Sequence, residues 1–166
     1  MKLSPLTLGL GLSMTVGYGT LYYSFTLLAP EIARSFGWDL KLVFGIFSLS
    51  LLAGAMAAPL VGRMIDRHGA RIVMSVGTII GSLTLASYSL ISAQWHFALA
   101  ILMTECVAVA VQYDAGFTAL AKKHGMAARS HITGVTLIAG LSSTIFWPLT
   151  QQLLTMMDWK QVYIVL

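Results

Sequence analysis

The chain has 166 residues, of which 57% are hydrophobic and only 10% charged, whereas a soluble domain carries roughly a quarter charged. Together with a mean hydropathy of +0.81, this excludes a soluble globular domain and predicts an all-α integral membrane protein in contact with the lipid bilayer. The net charge of +4 does not point to nucleic acid, because the basic residues fall in short islands between apolar runs, where they set topology.

Taken in order, the chain first shows an apolar run over residues 5–29, longer than a signal-peptide core and without a small-residue cleavage site, which predicts a first spanning helix. Its Tyr18 and Tyr22 are candidate cavity residues, with an interfacial anchoring role as the alternative; Tyr23, nearer the end, reads as an anchor. Glu31, Arg34, Asp39 and Lys41 mark a loop before a second span over residues 42–61, on which Gly54, Ala58 and Gly62 form a small-residue row. The stretch Gly62 to Arg71 then packs Arg63, Asp66, Arg67, His68 and Arg71 between two apolar runs. Such charge density does not sit in hydrocarbon, so a tight turn bracketed by Gly62 and Gly69 is predicted at a membrane surface.

A third span is predicted over residues 72–92 and a fourth over 97–120, joined by the uncharged Gln94, Trp95 and His96. A second basic island, Lys122, Lys123, His124 and Arg129, precedes a fifth span over residues 132–154, and a sixth helix begins near residue 161. The whole chain, 1–166, therefore reads as a single transmembrane domain of five spans and the start of a sixth. Lys2, Arg63, Arg67, Arg71, Lys122, Lys123 and Arg129 fall on one side of the membrane, against Arg34, Lys41 and Lys160 on the other. Basic residues concentrate on the cytoplasmic side, so the N-terminus is expected there.

Two acids, Glu105 and Asp114, lie inside the fourth span, where an ionisable group costs about 2.5–3.5 kcal/mol on insertion scales. On an unbroken helix their nine-residue spacing puts them on opposite sides. Gln112 and Gly116 would share the Glu105 face, making that stripe the candidate cavity lining, with Glu105 a proton or cation carrier or a hydrogen-bonded packing residue. Asp114 is expected near Arg67 or Arg71 as a structural ion pair, with a proton relay as the alternative. The single Cys106 and four scattered His residues offer no disulfide, metal cluster or cofactor site, and no G-x-x-x-x-G-K-[ST] stretch would hold ATP phosphates. With no paired nucleophile and base either, an enzyme is not expected.

The string Gly62 to Arg71 resembles the signature loop between helices two and three of the major facilitator superfamily, with Gly62, Asp66, Arg67, Gly69 and Arg71 on matching positions and Ala70 where a basic residue is usual. The resemblance implies a helical bundle that forms the N-terminal portion of a secondary transporter, moving a small solute on a proton or solute gradient in a bacterial inner membrane. It also implies that this loop is a conformational latch, its Asp set against a helix of the other half. A looser likeness, through Gln112 to Phe117, Trp147-Pro148-Leu149 and Asp158-Trp159-Lys160, is to the monocarboxylate and oxalate/formate-type branch. Paired three-helix repeats are echoed by Phe25 to Ala29 against Phe117 to Ala121, and by Pro59-Leu60 against Pro148-Leu149. Family members have twelve spans, so the chain is expected to be an incomplete N-terminal fragment that transports only with the missing C-terminal half or an equivalent. The alternative is a small non-transporting membrane protein that assembles with or regulates another.

Overall fold

The computed structural model describes residues 4–166, and Lys2 of the topology count lies outside them. The first pass begins where Ser4, in extended backbone, accepts a hydrogen bond from the Thr7 N–H ahead of Pro5, satisfying a donor that the first helical turn leaves free. It runs as α1 (Pro5–Tyr18), a π-turn (Gly19–Tyr23) and α2 (Ser24–Phe36), and ends at Gly37, whose φ of 64° needs glycine. The π-turn is held by the residue that follows it and by a neighbour on the fifth span. Ser24 Oγ donates to the Gly19 carbonyl at 2.7 Å and lies 2.8 Å from Thr150 Oγ1.

Asp39 caps α3 (Leu40–His68) through the Lys41 N–H. Its 29 residues span roughly 43 Å at 1.5 Å each, more than the ~30 Å hydrocarbon layer. The last two turns therefore carry Arg63, Asp66 and Arg67 past the membrane while still helical, because Val61 and Ile65 on the opposite face are buried in the core. This corrects the turn expected between Gly62 and Gly69. The reversal is confined to Gly69, at φ 84° and ψ 146°, and α4 (Ala70–Ser87) starts on the next residue.

A 3₁₀ turn (Tyr88–Leu90) leads to α5 (Gln94–Val111), then α6 (Tyr113–His124), a 3₁₀ turn (Gly125–Ala127), α7 (Ala128–Ala139), α8 (Ser142–Leu154) and α9 (Trp159–Val165). Asp158 opens α9 with a capping box completed by Gln161. Three stretches, Leu40–His68, Ala70–Leu90 and Gln94–Leu154, are long and apolar enough to cross a membrane; the last holds the reversal at Gly125. The first pass is divided by its π-turn.

α3 packs chiefly on α5, α4 also on α5, and α1 on α7. Two apolar cores result. One gathers Phe25, Leu28, Phe47, Tyr88, Phe97, Ile101, Trp159 and Tyr163. The other, at the Gly69 end, gathers Met14, Val61, Ile65, Val73, Leu120 and Val135. Phe25 and Phe117, which open the two echoed segments, pack with different cores. Between the cores the first pass buries Thr15, Thr20 and Ser24, while α8 turns Ser142 and Thr150 inward. Leu49, Met56, Leu83 and Leu137 are exposed on the outside, an apolar surface that suits lipid.

Candidate functional site

The fourth pass is not one helix. Gln112, at φ −94° and ψ −158°, is extended and separates α5 from α6, although α6 resumes at once with the Gly116 N–H bonded to the Gln112 carbonyl. One extended residue resets the helical phase. Asp114, which an unbroken helix would place away from Glu105, comes round to the same side, while Gly116 leaves it and packs on Met14 of α1. Glu105, Gln112 and Asp114 now line one cavity of about 290 Å³, closed on its other side by Leu51, Gly54, Ala55 and Ala58 of α3. The predicted stripe of Glu105, Gln112 and Gly116 is corrected to Glu105, Gln112 and Asp114.

Gly54 brings the two helices together. A Cβ there would stand 2.8 Å from the Glu105 carbonyl oxygen, so only glycine lets the backbones approach this closely. Glu105 is buried at 5% exposure, and its Oε1 has no hydrogen-bond partner. A buried polar atom left unpaired costs about 1–3 kcal/mol and rarely persists without a use. Gln112 is half-buried and Asp114 exposed, so the pocket is most open at its Asp114 end.

Tyr18 and Tyr22 sit elsewhere. The Tyr18 ring packs 4.6 Å from Tyr113, and Tyr22 lies 5.8 Å from Phe47 and 5.3 Å from Tyr23. Both are half-buried, and neither lines the Glu105 cavity. Tyr23 meets Trp147 edge-on, and the Trp147 Nε1–H donates to the Tyr23 carbonyl.

At the Gly69 end, Asp66 Oδ1 is 2.8 Å from Lys122 Nζ, which also donates to the Ile65 carbonyl near the end of α3. The pair joins the first basic island to the second. Both side chains are about half exposed or more, at 47% and 66%, so the contact contributes about 0.2–1 kcal/mol at most. Asp114 does not pair with Arg67 or Arg71, as the sequence reading expects. Among the described residues neither arginine has a carboxylate partner, and Asp114 is taken into the Glu105 cavity by the break at Gln112. Gly62 is half-buried with open space beside it, and Gly69 makes the reversal.

The second island also holds a histidine pair that sequence spacing does not reveal. His124 stacks on His131 at 3.9 Å, His131 Nδ1 is 2.8 Å from Thr7 Oγ1, and Thr7 Oγ1 is 2.8 Å from Ser4 Oγ, tying the α6–α7 turn to the start of α1. Burial, then the neighbouring His131 and Lys123, hold His124 below the ordinary histidine value of 6.5. The unfolded chain therefore binds this proton more readily, so the contribution to stability is present above that value and is lost as pH falls below it. We expect the thermal midpoint of the purified parent, measured against that of His124→Gln at the same pH, to fall between about pH 7.5 and about pH 5.5. A parent midpoint that rises relative to the variant on acidification would contradict this placement.

Over residues 10–166 the sequence matches the family described as Major Facilitator Superfamily. No curated protein and no solved structure matches the chain. A helical, multi-pass membrane bundle, a charged helix end turning at Gly69 and a polar cavity between α3 and α5 all accord with that match. The chain belongs to the major facilitator superfamily, a family of solute transporters.

Proposed function

We propose that this bundle is one half of a gradient-driven solute transporter and works opposite a second six-helix bundle, with Glu105, Gln112 and Asp114 as its share of the solute site. The observation that carries the reading is a buried carboxyl with one oxygen unpaired, that of Glu105, on a residue beside the pocket between α3 and α5 that Gln112 and Asp114 also line. Two bundles rocking about such a site expose it to each side in turn. A carboxyl at that position takes up or releases a proton, or meets a cation, as its surroundings open, and this ties the solute to a gradient.

The latch follows from the weakness of the Asp66–Lys122 pair. A contact worth no more than about 1 kcal/mol is easily exchanged for one with the opposite bundle, and Arg67 and Arg71 stand exposed to meet acids there. Ala70 cannot supply the usual basic residue, and Lys122 supports that role from the second island.

The charge split supports a cytoplasmic N-terminus in a bacterial inner membrane. In that orientation Ser130→Cys is labelled by a membrane-impermeant thiol reagent only after the cells are opened, and Ser35→Cys is labelled in intact cells. Labelling of Ser130→Cys from outside overturns it.

Transport is tested in vesicles. With this chain alone, uptake is expected to equal that of empty vesicles. Supplying a second bundle, on the same or a separate polypeptide, is expected to give saturable uptake whose pH dependence changes in Glu105→Gln. Saturable uptake by this chain alone contradicts the two-bundle reading.

A further inference from the structure

We propose that the stacked His124 and His131, tied through Thr7 to the start of α1, form a proton-sensing clasp. With one proton or none the pair holds the ends of the first and fifth passes together; a second proton opens it and lets those ends fray. The device lies at the α6–α7 turn and does not depend on where the solute sits.

Three helices build it. The Thr7 hydroxyl, on a fully buried residue of α1, is 2.8 Å from Ser4 Oγ and 2.8 Å from His131 Nδ1 of α7. His124, the last residue of α6, stacks on His131 with ring centroids 3.9 Å apart and planes 20° from parallel. Its Nε2 is enclosed and has no hydrogen-bond partner among the described residues.

One proton fits this arrangement. A hydroxyl gives one hydrogen and accepts another, so the chain of contacts can run in either direction. With His131 neutral, Thr7 donates to Nδ1 or accepts from it. With His131 charged, Nδ1–H donates to Thr7 and the Thr7 O–H passes on to Ser4, with no heavy atom displaced.

A second proton does not fit. It makes His124 a cation stacked on another, beside the basic Lys123. From α3 and α4, which also pack on α6, the exposed groups near this end are Asp66, Arg67, His68 and Arg71, and the one acid among them is engaged by Lys122. Arg129 of α7 adds a further positive charge, and α5 joins α6 at its opposite end, at Gln112. The enclosed Nε2 then carries an N–H with no acceptor. A charged donor without counter-charge or acceptor is driven toward water, which here parts the rings and draws His131 from Thr7. Deeper in the bundle Gly11 rests against Ile138, and Thr15 Oγ1 donates to the Ile138 carbonyl. The two passes stay joined there, so opening is confined to the first turns of α1 and α7.

The test uses the chain purified in detergent. Amide hydrogen exchange is read by mass spectrometry over residues 5–10 and 128–133, at about pH 7.5 and about pH 5.5. Each rate is divided by that of His124→Gln at the same pH, which removes the intrinsic effect of pH on exchange. Opening takes up one proton, so this ratio is expected to rise by up to about tenfold from the higher pH to the lower in both segments. A variant carrying His68→Gln and His96→Gln is expected to keep the response. Thr7→Val leaves both rings and removes the hydroxyl, so residues 5–10 are expected to exchange fast already at the higher pH and to gain little from acid. Followed by NMR, the His124 imidazole is expected to titrate at lower pH in the parent than in His131→Gln. A ratio equal at the two pH values, a response lost with His68 and His96, or a His124 titration unmoved by His131→Gln overturns the clasp. A Thr7→Val protein with the full acid response in residues 5–10 overturns its tie to α1.

Discussion

Replacing Glu105 by Leu is expected to make the protein more stable and to abolish uptake in a transporter completed by a second bundle. The carboxyl is buried with one oxygen unpaired, and relieving such a group returns about 1–3 kcal/mol. For a chain of this length each kcal/mol moves the midpoint by ~2–4 °C, so a rise of roughly 2–12 °C is expected. Thermal unfolding of parent and variant in the same detergent measures it. The sign decides between two roles. A carboxyl that holds helices together by hydrogen bonding gives a lower midpoint when removed, whereas a carboxyl kept for a ligand gives a higher midpoint and no transport.

Gly54→Val is expected to have the largest structural effect. A Cβ at Gly54 meets the Glu105 backbone oxygen at 2.8 Å, and backbone on α5 cannot swing aside as a side chain does. At Gly116, by contrast, the atom in the way is the terminal methyl of Met14, the free end of a flexible chain. The branched side chain at 54 therefore forces α3 from α5, at a cost of about 1–3 kcal/mol for overpacking. It also displaces Glu105 relative to Ala55 and Ala58 across the cavity. A fall in midpoint is the expected result. A Gly54→Val protein as stable as the parent would show that α3 and α5 do not need glycine at their closest approach.

The sequence announced the fold through length and apolarity, which a bilayer reads directly. The runs that became α3 and α4 needed no tertiary information, and the reversal at Gly69 was visible because few residues other than glycine accept its backbone angles. The charged island misled in one respect. Charge density argues for a loop, but a helix longer than the membrane is thick carries its charges beyond the surface on one face while burying Val61 and Ile65 on the other. The site is harder to read, since its residues stand out in the sequence but their grouping depends on whether the helix is broken. Gln112 is neither Gly nor Pro, and nothing local marks it as the residue that leaves helical geometry. The Asp66–Lys122 pair and the contact of His131 with Thr7 are equally invisible, because each joins residues far apart in the chain. The π-turn depends partly on Thr150, which arrives from α8.

The central claim is that the pocket beside Glu105, Gln112 and Asp114 is this half's share of the solute site. Uptake by a transporter completed with a second bundle, carrying Glu105→Gln or Asp114→Asn, tests it most directly. Loss of saturable uptake, or a changed pH dependence, is predicted in both variants at unchanged amounts of protein in the membrane. Uptake equal to that of the parent in both would contradict the account.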